Sequence, residues 1–267
     1  MPAFYTRLLV GGVLATGVFL LLFYGPVWSM ALLAATWAVL ATLEFLGLLR
    51  KAGIRLNAWL LCVLNAATIL AAWLGWLPGY ILFPIGVVFV TAVLSRTVLP
   101  RIPVYGSFTV LYLGLLPAHL VLLGRASDAT GLSRWLVFFP LVLTWTNDTA
   151  AYAIGKLFGR WKLMPTVSPK KTWEGFVAGL IASAALCALW LGRLEPFVGR
   201  NWSWLALIGI GLGTIAQLGD LFESVFKRAV EVKDSSTALA GHGGFLDRVD
   251  SLLFTIPAFY WLLRLYL

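Results

Sequence analysis

The residues richest in chemistry lie in one stretch, Ser224 to Asp250, which reads SVFKRAVEVKDSSTALAGHGGFLDRVD. Six of the 11 acidic residues fall between 220 and 250: Asp220, Glu223, Glu231, Asp234, Asp247 and Asp250. Asp247 and Asp250 are three apart, so at the start of a helix they share one face. With Asp220 they offer an all-oxygen ligand set. Hard oxygen ligands suit magnesium, which keeps waters and is completed by substrate phosphates. Zinc fits poorly, because the chain has two histidines and no paired thiols. Lys227, Arg228, Lys233 and Arg248 supply cations for several phosphates. Gly241, Gly243 and Gly244 surround His242. Glycines let backbone N–H groups approach an anion, and the start of the following helix favours negative charge.

A second cluster runs from Asn147 to Gly175, NDTAAYAIGKLFGRWKLMPTVSPKKTWEG. Ser168 to Glu174 reads as a loop entering a helix, with Pro169 stiffening the turn and Thr172 as the cap. Lys170 and Lys171, beside a helix start, are candidates for phosphate binding; the plainer alternative is a basic loop on the cytoplasmic side. The chain has no GxxxxGK[ST] pattern, so it is not a P-loop enzyme.

These clusters must be held by helices in a membrane. Of the 267 residues, 61% are hydrophobic and 12% charged, and the mean hydropathy is +0.91. That composition excludes a soluble globular enzyme, a disordered chain and a nucleic-acid module. The expected fold is all-α, a polytopic transmembrane bundle of about nine spans: 8–24, 27–49, 57–76, 79–98, 106–124, 132–155, 173–192, 203–230 and 249–266. The first is read as a retained span, because no small-residue cleavage site follows it. With nine spans, fifteen of the 20 Lys and Arg residues fall on one side. That bias sets the N-terminus inside and the C-terminus outside. The net charge of +9 is then loop charge facing anionic head groups, and no nucleic-acid partner is expected. Residues 1–130 read as scaffold and dimerisation helices, and 131–267 as the catalytic half. Spans six and eight run toward the cytoplasm and bring Asp148 and Asp220 to the inner edge of the hydrocarbon. Spans seven and nine start there. A charge near hydrocarbon faces a bundle interior or a water-filled cavity. Gly209 and Gly213 form GxxxG, which marks either a dimer face or tight packing within the bundle. Cys62 and Cys187 read as small apolar core residues.

Two motifs carry a family resemblance. Ser224-x-Phe226-Lys227-Arg228-x4-Lys233-Asp234, followed by His242-Gly243-Gly244-Phe245-x-Asp247-Arg248-x-Asp250, resembles the signature of the phosphatidate cytidylyltransferases, or CDP-diacylglycerol synthases. Asp148-Thr149-x-Ala151-Tyr152 and Ser168 to Gly175 resemble that family's second stretch. Ala240 departs from the pattern, which carries proline before Gly-His-Gly-Gly.

The resemblance implies magnesium-dependent transfer of CMP from CTP to phosphatidic acid, giving CDP-diacylglycerol and pyrophosphate. It implies a homodimer in the inner membrane, with a polar cavity opening to the cytoplasm. Asp220, Asp247 and Lys227 are the expected catalytic residues. Asp220, Asp247 and Asp250 are the expected ligands of magnesium, with a second cation, divalent or K+, left open. Lys227, Arg228, Lys233 and Arg248 are candidates for the triphosphate, and Lys170 and Lys171 for the lipid phosphate. Asn147, Asp148 and Glu174 are candidates for orienting lysines or reading cytosine. Ser224, Thr172, Asp234, Gly243 and Gly244 complete the expected substrate site, and His242 has a binding or loop-ordering role. A phosphate nucleophile is already ionised at pH 7, so no general base is required. Three rivals stand beside this reading: a CTP-dependent polyprenol or phytol kinase, a transporter with polar groups near the midplane, and a scaffold protein without chemistry.

Overall fold

The computed structural model describes residues 12, 16–95, 101–232, 235–236 and 244–267. Helices dominate it: α1 (16–24), α2 (Val27–Lys51), α3 (Ala58–Leu74), α4 (Leu77–Tyr80), α5 (Leu82–Leu94), α6 (Arg101–Val110), α7 (Leu116–Thr130), α8 (Trp135–Phe158), α9 (Trp173–Leu189), α10 (Trp202–Ala229) and α11 (Leu246–Arg264). Two short strands, β1 (Lys162–Met164) and β2 (Ser168–Thr172), lie between α8 and α9. A π turn at Leu111–Leu115 joins α6 to α7, giving one apolar rod over Arg101–Thr130. Among the described residues, five helices are long and apolar enough to cross a membrane: Val27–Lys51, Leu77–Leu94, Arg101–Thr130, Trp173–Arg193 and Trp202–Ala229. The chain is a helical membrane protein.

Two compact units divide it. One takes in Met1–Ala126 and Asp234–Arg248; the other takes in Ser127–Lys233 and Val249–Leu267. The stretch around Asp247 therefore falls with the N-terminal helices, and Asp220 and Asp250 fall in the other unit.

In the first unit, local chemistry sets the helix ends. Asn57 caps α3 by accepting the Leu60 N–H at 3.0 Å. Gly75 closes it in the left-handed conformation, φ 84°. Arg50 and Lys51 in the last turn of α2 complement its C-terminal dipole. Where α2 and α3 pack, the buried Asn65 amide donates to Thr42 Oγ1 at 2.7 Å. Phe45, Phe108 and Tyr112 fill the space beside it.

In the second unit, α9 packs between α8 and α10. Small residues make that possible. A methyl group added at Gly213 would stand 2.7 Å from Ser183 Oγ and 2.8 Å from the Asn147 amide nitrogen. One added at Gly209 would run into the Ser183 backbone. The GxxxG pair thus serves close packing of α10 on its own neighbours. Phe139, Phe197 and Phe259 form a fully buried aromatic core.

Candidate active site

Between α8 and α9, where the sequence predicts a loop, the chain forms a hairpin. β1 and β2 pair antiparallel, with Lys162 opposite Thr172 and Met164 opposite Ser168. Thr172 ends the strand and caps α9, its Oγ1 accepting the Gly175 N–H at 3.2 Å. Glu174, in the first turn of α9, reaches back. Its carboxylate accepts the Arg160 N–H at 2.9 Å and the Trp161 N–H at 3.2 Å. Arg228 of α10 donates from Nε to the Val167 carbonyl at 3.0 Å, holding the hairpin turn. The same guanidinium donates to the Val232 carbonyl at 3.0 Å. Glu174 and Arg228 therefore fix the short strand on which Lys170 and Lys171 stand.

Lys170 and Lys171 open onto a cleft of about 550 Å³. Asp148, Tyr152 and Lys156 line it from α8, Lys170, Lys171 and Thr172 from the hairpin, and Gln217 and Asp220 from α10. The Lys171 ammonium lies 2.8 Å from Asp220 Oδ2. It also reaches the Gln217 carbonyl at 3.5 Å. Three ammonium groups and two carboxylates share this wall, and both Lys171 and Asp220 stay partly exposed. The surplus of cations suits a polyanion. Asp148 and Asp220 are close enough to repel each other, so this pair gains from any cation between them.

Beyond Asp220, α10 carries further polar residues on its buried face. Ser224, one turn on, is buried, with its hydroxyl 3.4 Å from Asp220 Oδ1. Lys227 is also buried and pairs with Glu223 Oε2 at 3.2 Å. Asp250 of α11 is buried too. It accepts the Ser251 N–H at 2.6 Å, with Asp220, Glu223 and Lys227 as charged neighbours. A buried charge of this kind survives only when paired, and the Glu223–Lys227–Asp250 cluster provides that pairing.

The first unit holds its own polar cluster. Asp247 Oδ2 accepts the Gly244 N–H at 2.8 Å, the Ser235 N–H at 3.0 Å and the Ser235 hydroxyl at 3.1 Å. Arg248 is exposed at the start of α11. Lys233, Asp234, His242 and Gly243 lie outside the described residues.

Asn147 is placed differently from the sequence reading. Asn147 is fully buried and does not line the cleft. Its amide donates to Ser183 Oγ at 2.9 Å and to the Gly213 carbonyl at 3.3 Å, which joins α8, α9 and α10. Glu174 engages backbone N–H groups of the hairpin, so it orients the lysines through the strand. Three residues that the reading gave no role are part of the geometry. Gln217 lines the cleft, Glu223 pairs with Lys227, and Glu44 binds the segment before α11. The only signal for Glu44 was a lone carboxylate deep in an apolar span.

The donor set bears on a metal. Carboxylate oxygens on the cleft wall are hard ligands of the kind magnesium takes. Among the described residues, no three carboxylates, imidazoles or thiols form a ready-made cage. The fit is to a hydrated cation held by one or two carboxylates and completed by substrate oxygens. Asp220 and Asp148 are the residues of the cleft that would hold it.

Fold and cleft together define a helical membrane protein with a cleft lined by three lysines and two aspartates. The model of the Cytidylyltransferase family matches residues 5–266, and the chain belongs to that family. Among its relatives are proteins named phosphatidate cytidylyltransferase. The one from Bacillus subtilis is 42% identical over 142 residues, 53% of this chain and 51% of its own length. That from Haemophilus influenzae is 42% identical over 127 residues, 47% and 44% of the two chains. That from Staphylococcus saprophyticus is 48% identical over 123 residues, 45% and 46%. The chain spans about half the length of the curated relatives it matches.

Proposed function

We propose that the protein transfers CMP from CTP to phosphatidic acid, giving CDP-diacylglycerol and pyrophosphate. The observation that carries this reading is the Lys171–Asp220 pair on the wall of a cleft with surplus cations, in a chain of the Cytidylyltransferase family. An oxygen of the lipid phosphate forms a bond to the α-phosphorus of CTP. The bond from that phosphorus to the bridging oxygen of the β-phosphate breaks, and pyrophosphate leaves with its electron pair. Both reactants are anions, so the work of the protein is charge neutralisation and alignment.

Lys170 and Lys171 hold phosphate oxygens, and Lys156 adds a third ammonium at the rim. Lys171 exchanges its Asp220 partner for an incoming phosphate, which frees the carboxylate at that moment. Magnesium, when bound, would screen the phosphate charges and favour the leaving group. Asp220 and Asp148 would hold it in the cleft, and Asp250 and Asp247 are each a candidate ligand of a cation, divalent or K+. Lys227 acts from behind the wall by holding Glu223 and Asp250. The cleft faces the cytoplasm of the inner membrane, where CTP is dissolved, and the protein works as a homodimer.

The test is purified protein in detergent with CTP, phosphatidic acid and magnesium. Pyrophosphate release that depends on the lipid, and is lost in Asp220→Ala, is the expected result. Release of CDP with an isoprenoid alcohol as acceptor would replace this reading with the kinase.

A further inference from the structure

Glu44 stands far from the cleft in sequence and belongs to a span otherwise devoid of acids. Its carboxylate nonetheless accepts four hydrogen bonds. Oε2 takes the Leu246 N–H at 2.8 Å and the Ser235 hydroxyl at 2.9 Å. Oε1 takes the Phe245 N–H at 2.8 Å and the Ser236 hydroxyl at 2.5 Å. Leu246 opens α11, and its N–H is one of the donors that a helix start leaves without an intrahelical partner. A carboxylate at that position also complements the helix dipole. Trp37, two turns earlier on the same face of α2, packs against Phe245 with ring centroids 6.4 Å apart.

The next contact makes this more than a cap. The Ser235 hydroxyl lies within 3.1 Å of Asp247 Oδ2 as well as 2.9 Å of Glu44. One hydroxyl proton thus stands between two carboxylates. The Ser235 N–H and the Gly244 N–H point at the same Asp247 oxygen. Glu44 fixes the backbone immediately before Asp247, and Ser235 joins the two carboxylates directly. The side chain of Asp247 has few ways to turn while Glu44 is in place.

We infer that Glu44 is a positioning residue, which sets the Asp247 carboxylate for binding a cation. This rests on the proposed function, in which Asp247 is a cation ligand. Groups held within a fraction of an ångström of productive geometry gain rate; a displacement of about 1 Å costs roughly 10²-fold.

The experiment compares wild type, Glu44→Ala, Glu44→Gln and Ser235→Ala in detergent. Three quantities are read: amide hydrogen exchange in the peptide over 244–250, Mn²⁺ affinity by electron paramagnetic resonance, and kcat with the KM for CTP. In Glu44→Ala, exchange at Phe245 and Leu246 rises at least about tenfold. Mn²⁺ binding weakens several-fold, and kcat falls about 10–100-fold with the KM for CTP nearly unchanged. Glu44→Gln keeps one carbonyl oxygen as acceptor and falls between the two. Ser235→Ala weakens Mn²⁺ binding with less effect on exchange, and it carries the test with Glu44→Gln if Glu44→Ala does not fold. Faster exchange with wild-type kcat and Mn²⁺ affinity would make Glu44 a clasp only and overturn the inference. Unchanged exchange would overturn it as well. If the wild-type protein transfers no CMP, the function reading fails, and Mn²⁺ affinity still decides what Glu44 does for Asp247.

Discussion

The Lys171 ammonium lies 2.8 Å from Asp220 Oδ2, and both groups face the same cleft. Neither side chain is fully buried, at 23% and 35% exposed. An ion pair of that exposure contributes little to stability, about 1 kcal/mol or less. Its position on a cation-rich wall is what suits it to the proposed transfer. Lys171→Ala and Asp220→Asn are therefore expected to leave Tm within a few degrees of wild type. Turnover is expected to fall by about 10²–10³, the scale of removing one electrostatic partner of a charged transition state. Steady-state kinetics and thermal unfolding on the same preparations check this. A large drop in Tm would make the pair structural.

Lys227 and Glu223 should behave in the opposite way. Both are buried, with Nζ and Oε2 3.2 Å apart. Truncating one partner leaves the other charge uncompensated, at a cost of about 3–5 kcal/mol. Lys227→Met is expected to lower Tm sharply, and Glu223→Gln with Lys227→Met to recover part of that loss. A double mutant less stable than Lys227→Met alone would remove the pair from the stability account.

Glu174 ties the start of α9 to the backbone at Arg160 and Trp161. Glu174→Ala is expected to raise the KM of an anionic substrate about tenfold, by loosening the strand that carries Lys170 and Lys171. Glu174→Asp, which keeps the charge but shortens the reach, is expected to restore only part of it. An unchanged KM in Glu174→Ala would separate the hairpin from substrate binding.

The seam between α9 and α10 offers an internal control. A methyl at Gly213 would meet Ser183 and Asn147 within 3 Å, whereas one at Gly211 meets nothing within 4 Å. Gly213→Ala is expected to destabilise by about 1–3 kcal/mol through overpacking. Gly211→Ala is expected to be neutral or slightly stabilising, because alanine is the better helix former. Equal Tm values would contradict the packing of α10 against α9.

How far the sequence reached depends on how local each feature is. The helices were legible because continuous apolar runs have one solution in a membrane, and the described helices fall on those runs. The cap at Thr172 was legible because a hydroxyl ahead of a helical run is a local signal. β1 and β2 were not. Three and five residues with three charged side chains among them show no alternation, and the pairing needs Glu174 and Arg228 to hold it. Asn147 next to Asp148 read as part of the site, but on a helix adjacent residues point about 100° apart. One side chain lines the cleft and the other is buried. Glu44 was least accessible, since its partners lie about 190 positions away, beyond any local pattern.

Under the proposed function, this cleft moves the α-phosphate of CTP to a lipid phosphate. The direct measurement supplies CTP labelled at the α- or γ-phosphate to the purified protein with phosphatidic acid and magnesium. Label from the α-position is expected in the lipid fraction and label from the γ-position in pyrophosphate, with both transfers lost in Lys171→Ala. α-Label that remains in soluble CDP while γ-label enters a lipid would contradict the account.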